Sequence, residues 1–102
     1  YIGEFVAGKR EGRGVLAYSE DCAYEGTFLK GEPHGNGTML YGNGDLYTGE
    51  WEYGSQHGAG VYESRHAGVE IFRGDFKEGR RDGRGEVWVI PQGGAPAKWA
   101  AD

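Results

Sequence analysis

An aromatic residue opens the pattern, with glycine two positions on, a second aromatic at four, glycine at seven, and a Gly-x-Gly pair at eleven and thirteen. The chain carries this skeleton four times. Its clearest copy is Tyr47-Thr48-Gly49-Glu50-Trp51, continued by Gly54, His57, Gly58 and Gly60. The others begin at Tyr1, Tyr24 and Phe72, so the period is 23, 23 and then 25 residues. Sixteen of the 21 glycines fill the four glycine places, and eight of the 14 aromatics fill the two aromatic places. Few folds tolerate such a pattern. Glycine every few residues costs a helix roughly 1 kcal/mol each time, and the period is too short for paired helices.

Alternation points to strands. Tyr47, Gly49 and Trp51 share one side and Thr48 and Glu50 the other, the period of two of a half-buried strand. The second half of each repeat alternates too: Gly12, Gly14, Leu16 and Tyr18 share a face, as do Gly35, Gly37, Met39 and Tyr41. Each repeat therefore reads as a β-hairpin with its loop at offsets +7 to +10. Four such hairpins predict an all-β, elongated single-layer antiparallel meander, eight strands spanning about 40 Å. Asn43-Gly44 between repeats predicts a type I′ turn. The two extra residues across Glu63–Glu70 predict a bulged or extended loop. The units are 1–23, 24–46, 47–71 and 72–92. Residues 93–102 form a tail or degenerate fifth unit in which Trp99 keeps only the aromatic at +4. Tyr1 already stands at offset 0, so the chain is expected to be a segment of a longer protein.

The glycines at +2 leave room for rings to lie across them, and those at +7 suit positive-φ turns. Burial of rings at ~1.5 to 3 kcal/mol each supplies the driving force.

The register Tyr-x-Gly-Glu-Trp-x-x-Gly-x-x-His-Gly-x-Gly resembles the MORN repeat (membrane occupation and recognition nexus), over residues 1 to about 90. Pro33 before the histidine, and Glu11 and Asp82 in its place, depart from that pattern. The resemblance implies a ladder of stacked hairpins. It also implies settings such as cytoskeletal, ciliary or axonemal scaffolds, homodimers, membrane junctions, and targeting arrays joined to catalytic domains elsewhere.

Motifs of chemical interest dissolve into the repeat. Gly3 through Gly8-Lys9 mimics a phosphate loop, yet Arg10 follows instead of Ser or Thr, and Gly12 and Gly14 forbid the helix that must come next. Gly12-Arg13-Gly14 mimics a dinucleotide signature without its strand–helix–strand context. His34 and His57 share offset +10 with Asp82, but equivalent atoms two strands apart lie ~9.5 Å from one another, too far for one metal. Turn-backbone partners are expected for these histidines. Glu4, Glu50 and Asp75 at offset +3 read as a solvated column, not a catalytic pair. Cys22, the single cysteine, has no evident base beside it and allows no internal disulfide.

These readings predict a non-enzymatic protein-interaction module with no catalytic residue, cofactor or metal. A net charge of -5 gives no reason to bind nucleic acid. An aromatic face of Tyr1, Phe5, Tyr24, Phe28, Tyr47, Trp51, Phe72 and Phe76 exceeds what one sheet can cover, predicting a groove for a partner helix or strand. The open sheet edges offer a second docking mode, and a homodimer a third. Lys9, Arg10 and Arg13 in repeat one, with Arg80, Arg81 and Arg84 in repeat four, form the candidate patch for anionic lipid. A cytoplasmic, cytoskeleton-associated location, such as the cilium, is expected.

Overall fold

The computed structural model describes residues 1–65, 68–91 and, as backbone, 97–101. The strands are β1 (Ile2–Val6), β2 (Lys9–Ala17), β3 (Ala23–Leu29), β4 (Glu32–Leu40) and β5 (Leu46–Glu52), then β6 (Ser55–Ser64), β7 (Gly68–Lys77), β8 (Arg80–Pro91) and β9 (Ala97–Ala101). They form one sheet in sequence order, each antiparallel to the next. The molecule measures 50 × 29 × 15 Å, one layer thick. No helix forms among the described residues. The all-β meander expected from the alternation is the fold.

The hairpin turns are tighter than the repeat suggests. Ala7-Gly8, Lys30-Gly31, Tyr53-Gly54 and Glu78-Gly79 all take positive φ at both residues, the two-residue type I′ geometry that matches strand twist. The loop thus occupies offsets +6 and +7 rather than +7 to +10, and the histidines lie on strands. The Asn43-Gly44 link differs in the opposite sense. Only Gly44 has positive φ there, and its N–H donates to the Tyr41 carbonyl at 2.9 Å. Gly42 and Asn43 form the corner and Gly44 the left-handed closing residue, the three-residue hairpin loop. The Asp45 N–H donates to Asn43 Oδ1 at 2.9 Å, and that side-chain turn explains why Asn43 need not adopt positive φ.

In the described part of the longer third repeat, pairing extends further than in the repeats before it. β6 and β7 stay paired to Ser64↔Glu70, and β7 and β8 reach 10 and 12 residues against 7 and 9 for β3 and β4. Strand-compatible residues such as Val69 and Ile71 extend the ladder, where Val69 pairs with Ile90. His66 and Ala67 lie outside the described residues.

The same lengthening shifts the end of the array. Trp99 pairs with Val87 and Ala101 with Gly85, as Tyr47 pairs with Met39 and Gly49 with Gly37. Trp99 therefore stands at offset 0 of a further unit instead of at +4, because β8 outruns the earlier second strands.

The core is a line of rings. Tyr24, Phe28, Tyr47, Trp51, Phe72 and Phe76 are each at most 4% exposed. Met39 and Val87 complete the buried set, with Leu16 and Tyr62 packed beside it.

Candidate functional site

Each offset-0 ring lies over the two glycines that face one another beside it. Gly26 pairs with Gly37 and Gly49 with Gly60. A methyl group at Gly26 would come within 2.5 Å of the Gly37 Cα, and one at Gly60 would strike the Tyr47 ring. The ring ends at backbone: the Tyr24 and Tyr47 hydroxyls donate to the carbonyls of Thr27 and Glu50, both at 2.9 Å. Burial pushes both hydroxyls from the ordinary 10.0 up to about 12.

The rings then run edge-to-face through the array. Phe5 meets Tyr1 at 5.0 Å between centroids, Tyr1 meets Phe28 at 5.3 Å and Phe28 meets Tyr24 at 5.0 Å. Tyr24 meets Trp51 at 5.3 Å, Trp51 meets Tyr47 at 5.1 Å, and Tyr47 meets Phe76 at 4.9 Å before Phe72 closes the line at 5.4 Å. Each +4 ring inside the array thus bridges the offset-0 rings of its own repeat and the one before. Trp51 also donates its indole N–H to the Gly37 carbonyl at 3.1 Å. Among the described residues the expected open groove is absent for a physical reason: the sheet covers its six inner rings with one another. Of the eight, only Phe5, 61% exposed, and the half-buried Tyr1 reach the surface.

The basic residues are not one surface. Arg10 donates through Nε and Nη2 to the Gly31 carbonyl, at 3.1 and 2.7 Å, with its guanidinium beside the Tyr1 and Phe28 rings. Arg81 pairs with Glu70 at 2.9 Å and lies 4.3 Å from the Phe72 centroid. Both serve the ladder. Lys9, Arg13, Arg80 and Arg84 are exposed, but β2 and β8 are six strands apart, some 29 Å at ~4.8 Å per step.

One member of the carboxylate column has a job that alternation concealed. Glu50 Oε2 accepts the Ala59 N–H at 2.7 Å, beside Gly58, whose φ of 69° marks the bulge opposite Glu50. Thr27 at the same offset in repeat two bonds in the opposite sense, donating its hydroxyl to the His34 carbonyl. Glu50 and Thr27 hold the bulges of their own hairpins, and Glu4, Glu50 and Asp75 are exposed, as a solvated column requires.

One of the two repeat histidines holds a turn. His34 Nδ1 accepts the Tyr53 N–H at 3.4 Å, and its ring lies 5.3 Å from that of Tyr53. His57 faces Glu52 at 3.5 Å. Among the described residues no three His, Cys, Asp or Glu side chains are grouped to hold a metal ion.

Sequence reasoning passed over one cluster. Asp45, 5% exposed, accepts the Tyr62 hydroxyl at 2.7 Å; Gln56, 6% exposed, donates to the Tyr41 hydroxyl at 2.7 Å; and the Tyr41 and Tyr62 rings stack at 6.0 Å. Burial and the bond to Asp45 raise the Tyr62 hydroxyl strongly, and burial raises Tyr41. These residues stitch repeats two and three together. An Asp after Asn-Gly was the only signal available, and it reads first as turn chemistry.

On the face away from the rings lie shallow grooves of about 240 Å³ (Arg13, Glu25, Asn36, Thr38, Thr48) and 340 Å³ (Thr48, Ala59, Val61, Arg73, Asp75). Neither brings a nucleophile against a base. What the geometry does well is present a rigid ladder with two chemically different faces and two open edges.

No curated protein matches the chain. The MORN repeat family model matches residues 1–22, 24–46, 47–65 and 72–88, in step with the four skeletons and the hairpins they build. The family is a non-catalytic repeat module, commonly engaged in protein or membrane interaction. The chain belongs to the MORN repeat family.

Proposed function

We propose that this chain is a structural scaffold module that binds protein partners. One observation carries the reading: the ring ladder satisfies itself, and what it leaves uncovered is strand edge. Ile2, Phe5 and Val6 on β1 are 80%, 61% and 57% exposed, an apolar edge with unpaired backbone along it. Edge pairing gives main-chain affinity while side chains on alternate sides supply selectivity. A cytoplasmic setting in a cytoskeletal or ciliary assembly suits a rigid spacer of this kind. An array that targets a catalytic domain elsewhere would use the same edge.

The competing role, tethering to phosphoinositide membranes, finds less to work with. Arg10 and Arg81 are engaged within the ladder, and the exposed basic side chains stand at opposite ends. Each basic residue near an anionic surface contributes about 1 kcal/mol, screened within a Debye length of ~8 Å at physiological salt. Flotation with vesicles containing phosphoinositide at ~150 mM salt decides between the two. The scaffold reading expects the protein to stay with the unbound fraction. Salt-resistant, headgroup-selective flotation abolished by Lys9→Glu with Arg80→Glu would replace it with the tether. Those positions are chosen because Arg81→Glu would also disturb Phe72.

A further inference from the structure

The face away from the rings is not uniformly polar. Leu40 stands opposite Leu46, Leu46 opposite Glu63, Glu63 opposite Ile71, and Ile71 opposite Trp88. Each is next in sequence to a residue of the ring-side core or packed against it (Met39, Tyr47, Tyr62, Phe72 or Val87), so the pleat turns it to the opposite face. The five make one row across β4 to β8, and Ala23 and Ala17 carry it on to β2 with small side chains. Leu40 is 41% exposed, and Val15, 39% exposed, lies on the same face two residues before Ala17. None of these positions belongs to the repeated skeleton, so ring burial gives no reason for leucine, isoleucine or tryptophan there. Among the described residues no second layer of strands or helices lies over the row.

Charge along this face is uneven. Glu63 pairs with Arg65 at 2.9 Å; Arg73 pairs with Glu86 at 2.9 Å and lies 5.0 Å from the Trp88 centroid. These pairs leave the row near-neutral toward β8. At the β2–β3 end Glu20, Asp21 and Glu25 are exposed, and among the described residues none of the three forms an ion pair. Arg13, on the same face, offsets one of them, and that end stays acidic. A segment lying across the strands cannot join the ladder, because the N–H and C=O groups of interior strands already pair with one another. It must satisfy its own backbone, which selects a helix. The spacing suits one: a helical turn rises about 5.4 Å and strands lie ~4.8 Å apart, so one apolar residue per turn meets strand after strand. The steps from β2 to β8 take about 20 helical residues.

We infer that this row is the docking surface for an amphipathic helix of a protein partner, apolar along one stripe and basic at one end. Leucine-sized side chains of the helix pack on Leu40, Leu46, Ile71 and Trp88. Lysine or arginine stems cross the small Ala23 and Ala17 and bring their charges to Glu25 and the Glu20-Asp21 link. This surface rests on the scaffold reading and names the chemistry of the partner.

The probe is a synthetic peptide of about 20 residues, with leucine at every third or fourth position and a cluster of lysines at one end. Titrated into the isotope-labelled chain, it is expected to shift the amides of Leu40, Leu46, Ile71 and Trp88 and to leave those of the turn glycines Gly8 and Gly79 in place. Leu40→Lys with Leu46→Lys is expected to weaken binding by about tenfold or more, with the Tyr47 and Trp51 ring resonances unmoved as the check on the fold. Glu25→Lys, at an exposed site, is expected to weaken it about threefold at low salt and to lose most of that effect at ~1 M salt. Absence of binding, shifts away from the row, or binding that neither variant weakens overturns the inference. Equal affinity for a peptide with glutamates in place of the lysines does so too. So does a concentration-dependent dimer, or vesicle flotation, that Leu40→Lys with Leu46→Lys abolishes, since the occupant would then be a second copy or lipid. The scaffold reading fails on a different variant pair, Lys9→Glu with Arg80→Glu in flotation, so the two failures are distinguishable.

Discussion

Gly60 and Gly79 are glycine for different reasons, and a single methyl group separates them. At Gly60 a Cβ would run into the Tyr47 ring; at Gly79 nothing lies within 4 Å and only the φ of 80° resists. Overpacking a closed site costs about 1 to 3 kcal/mol, whereas a left-handed alanine costs about 1 to 2. Gly60→Ala is expected to destabilise by about 3 kcal/mol and to shift the Tyr47 and Trp51 ring resonances. Gly79→Ala should cost about 1 kcal/mol and leave them in place, as urea unfolding followed by NMR would reveal. The spacing pointed to this division between ring-covered and turn glycines. It could not separate +11 from +13, because a bulge glycine and a flat-strand glycine look alike in a Gly-x-Gly pair; Gly35 takes φ 86° while Gly37 does not take positive φ.

The tyrosines add a pH dependence at the same scale. Burial holds the Tyr24 and Tyr47 hydroxyls at about 12 in the fold against 10.0 when exposed, so above pH 10 the folded state binds more protons than the unfolded one. Stability is therefore unaffected by these groups below pH 10 and falls as pH rises from there to about 12. The urea midpoint should drop steeply between pH 9.5 and 11.5 (about those values), and Tyr47→Phe should flatten that drop. A midpoint flat across that range would contradict the burial of the hydroxyls.

At the scale of the hairpin, the bulge and its +3 clamp act together. Glu50 holds the Ala59 amide, and Thr27 reaches the same region of its own hairpin with a shorter arm. A charge-assisted bond of this kind contributes about 1.5 to 3 kcal/mol when buried and less at an exposed site. Glu50→Ala is expected to cost about 1 kcal/mol by denaturant unfolding, and Glu50→Thr about half of that. Equal losses for both would mean that a threonine hydroxyl does not replace the carboxylate at this bulge. The strands themselves followed from alternation because period two survives a bulge on either side of it. The bulge did not, and so the bond from Ala59 to Glu50 was not foreseen, although Glu4, Glu50 and Asp75 are exposed as expected. The turns were displaced by a residue or two for a similar reason: Ala7, Lys30, Tyr53 and Glu78 adopt positive φ although nothing in their chemistry announces it.

Across the whole molecule, eight rings in seven edge-to-face contacts join all four repeats, each contact worth about 0.5 to 1.5 kcal/mol beyond area burial. The eight residues could be named from spacing alone. Their concealment could not, because it depends on Phe28, Trp51 and Phe76 each meeting a ring two strands away as well as one on their own strand. Spacing likewise could not reveal the engagements of Arg10 and Arg81, since only the folded ladder brings Arg10 to the Gly31 carbonyl and Arg81 to Glu70. Stability along such an array is a sum of units and junctions, so the exposed β1 should open first. Exchange at Gly3 and Phe5 is expected to be faster than at Gly49 and Trp51 by two orders of magnitude or more, roughly 3 kcal/mol of local stability.

The self-covering ring ladder is tested most directly at Trp51. Its indole N–H is bonded to the Gly37 carbonyl, and its ring is 4% exposed between Tyr24 and Tyr47. In solution NMR, the indole proton should exchange as slowly as the central amides, with cross-peaks from the Trp51 ring to both tyrosine rings. Fast exchange with those cross-peaks missing would mean an open aromatic groove, and the ladder would be wrong.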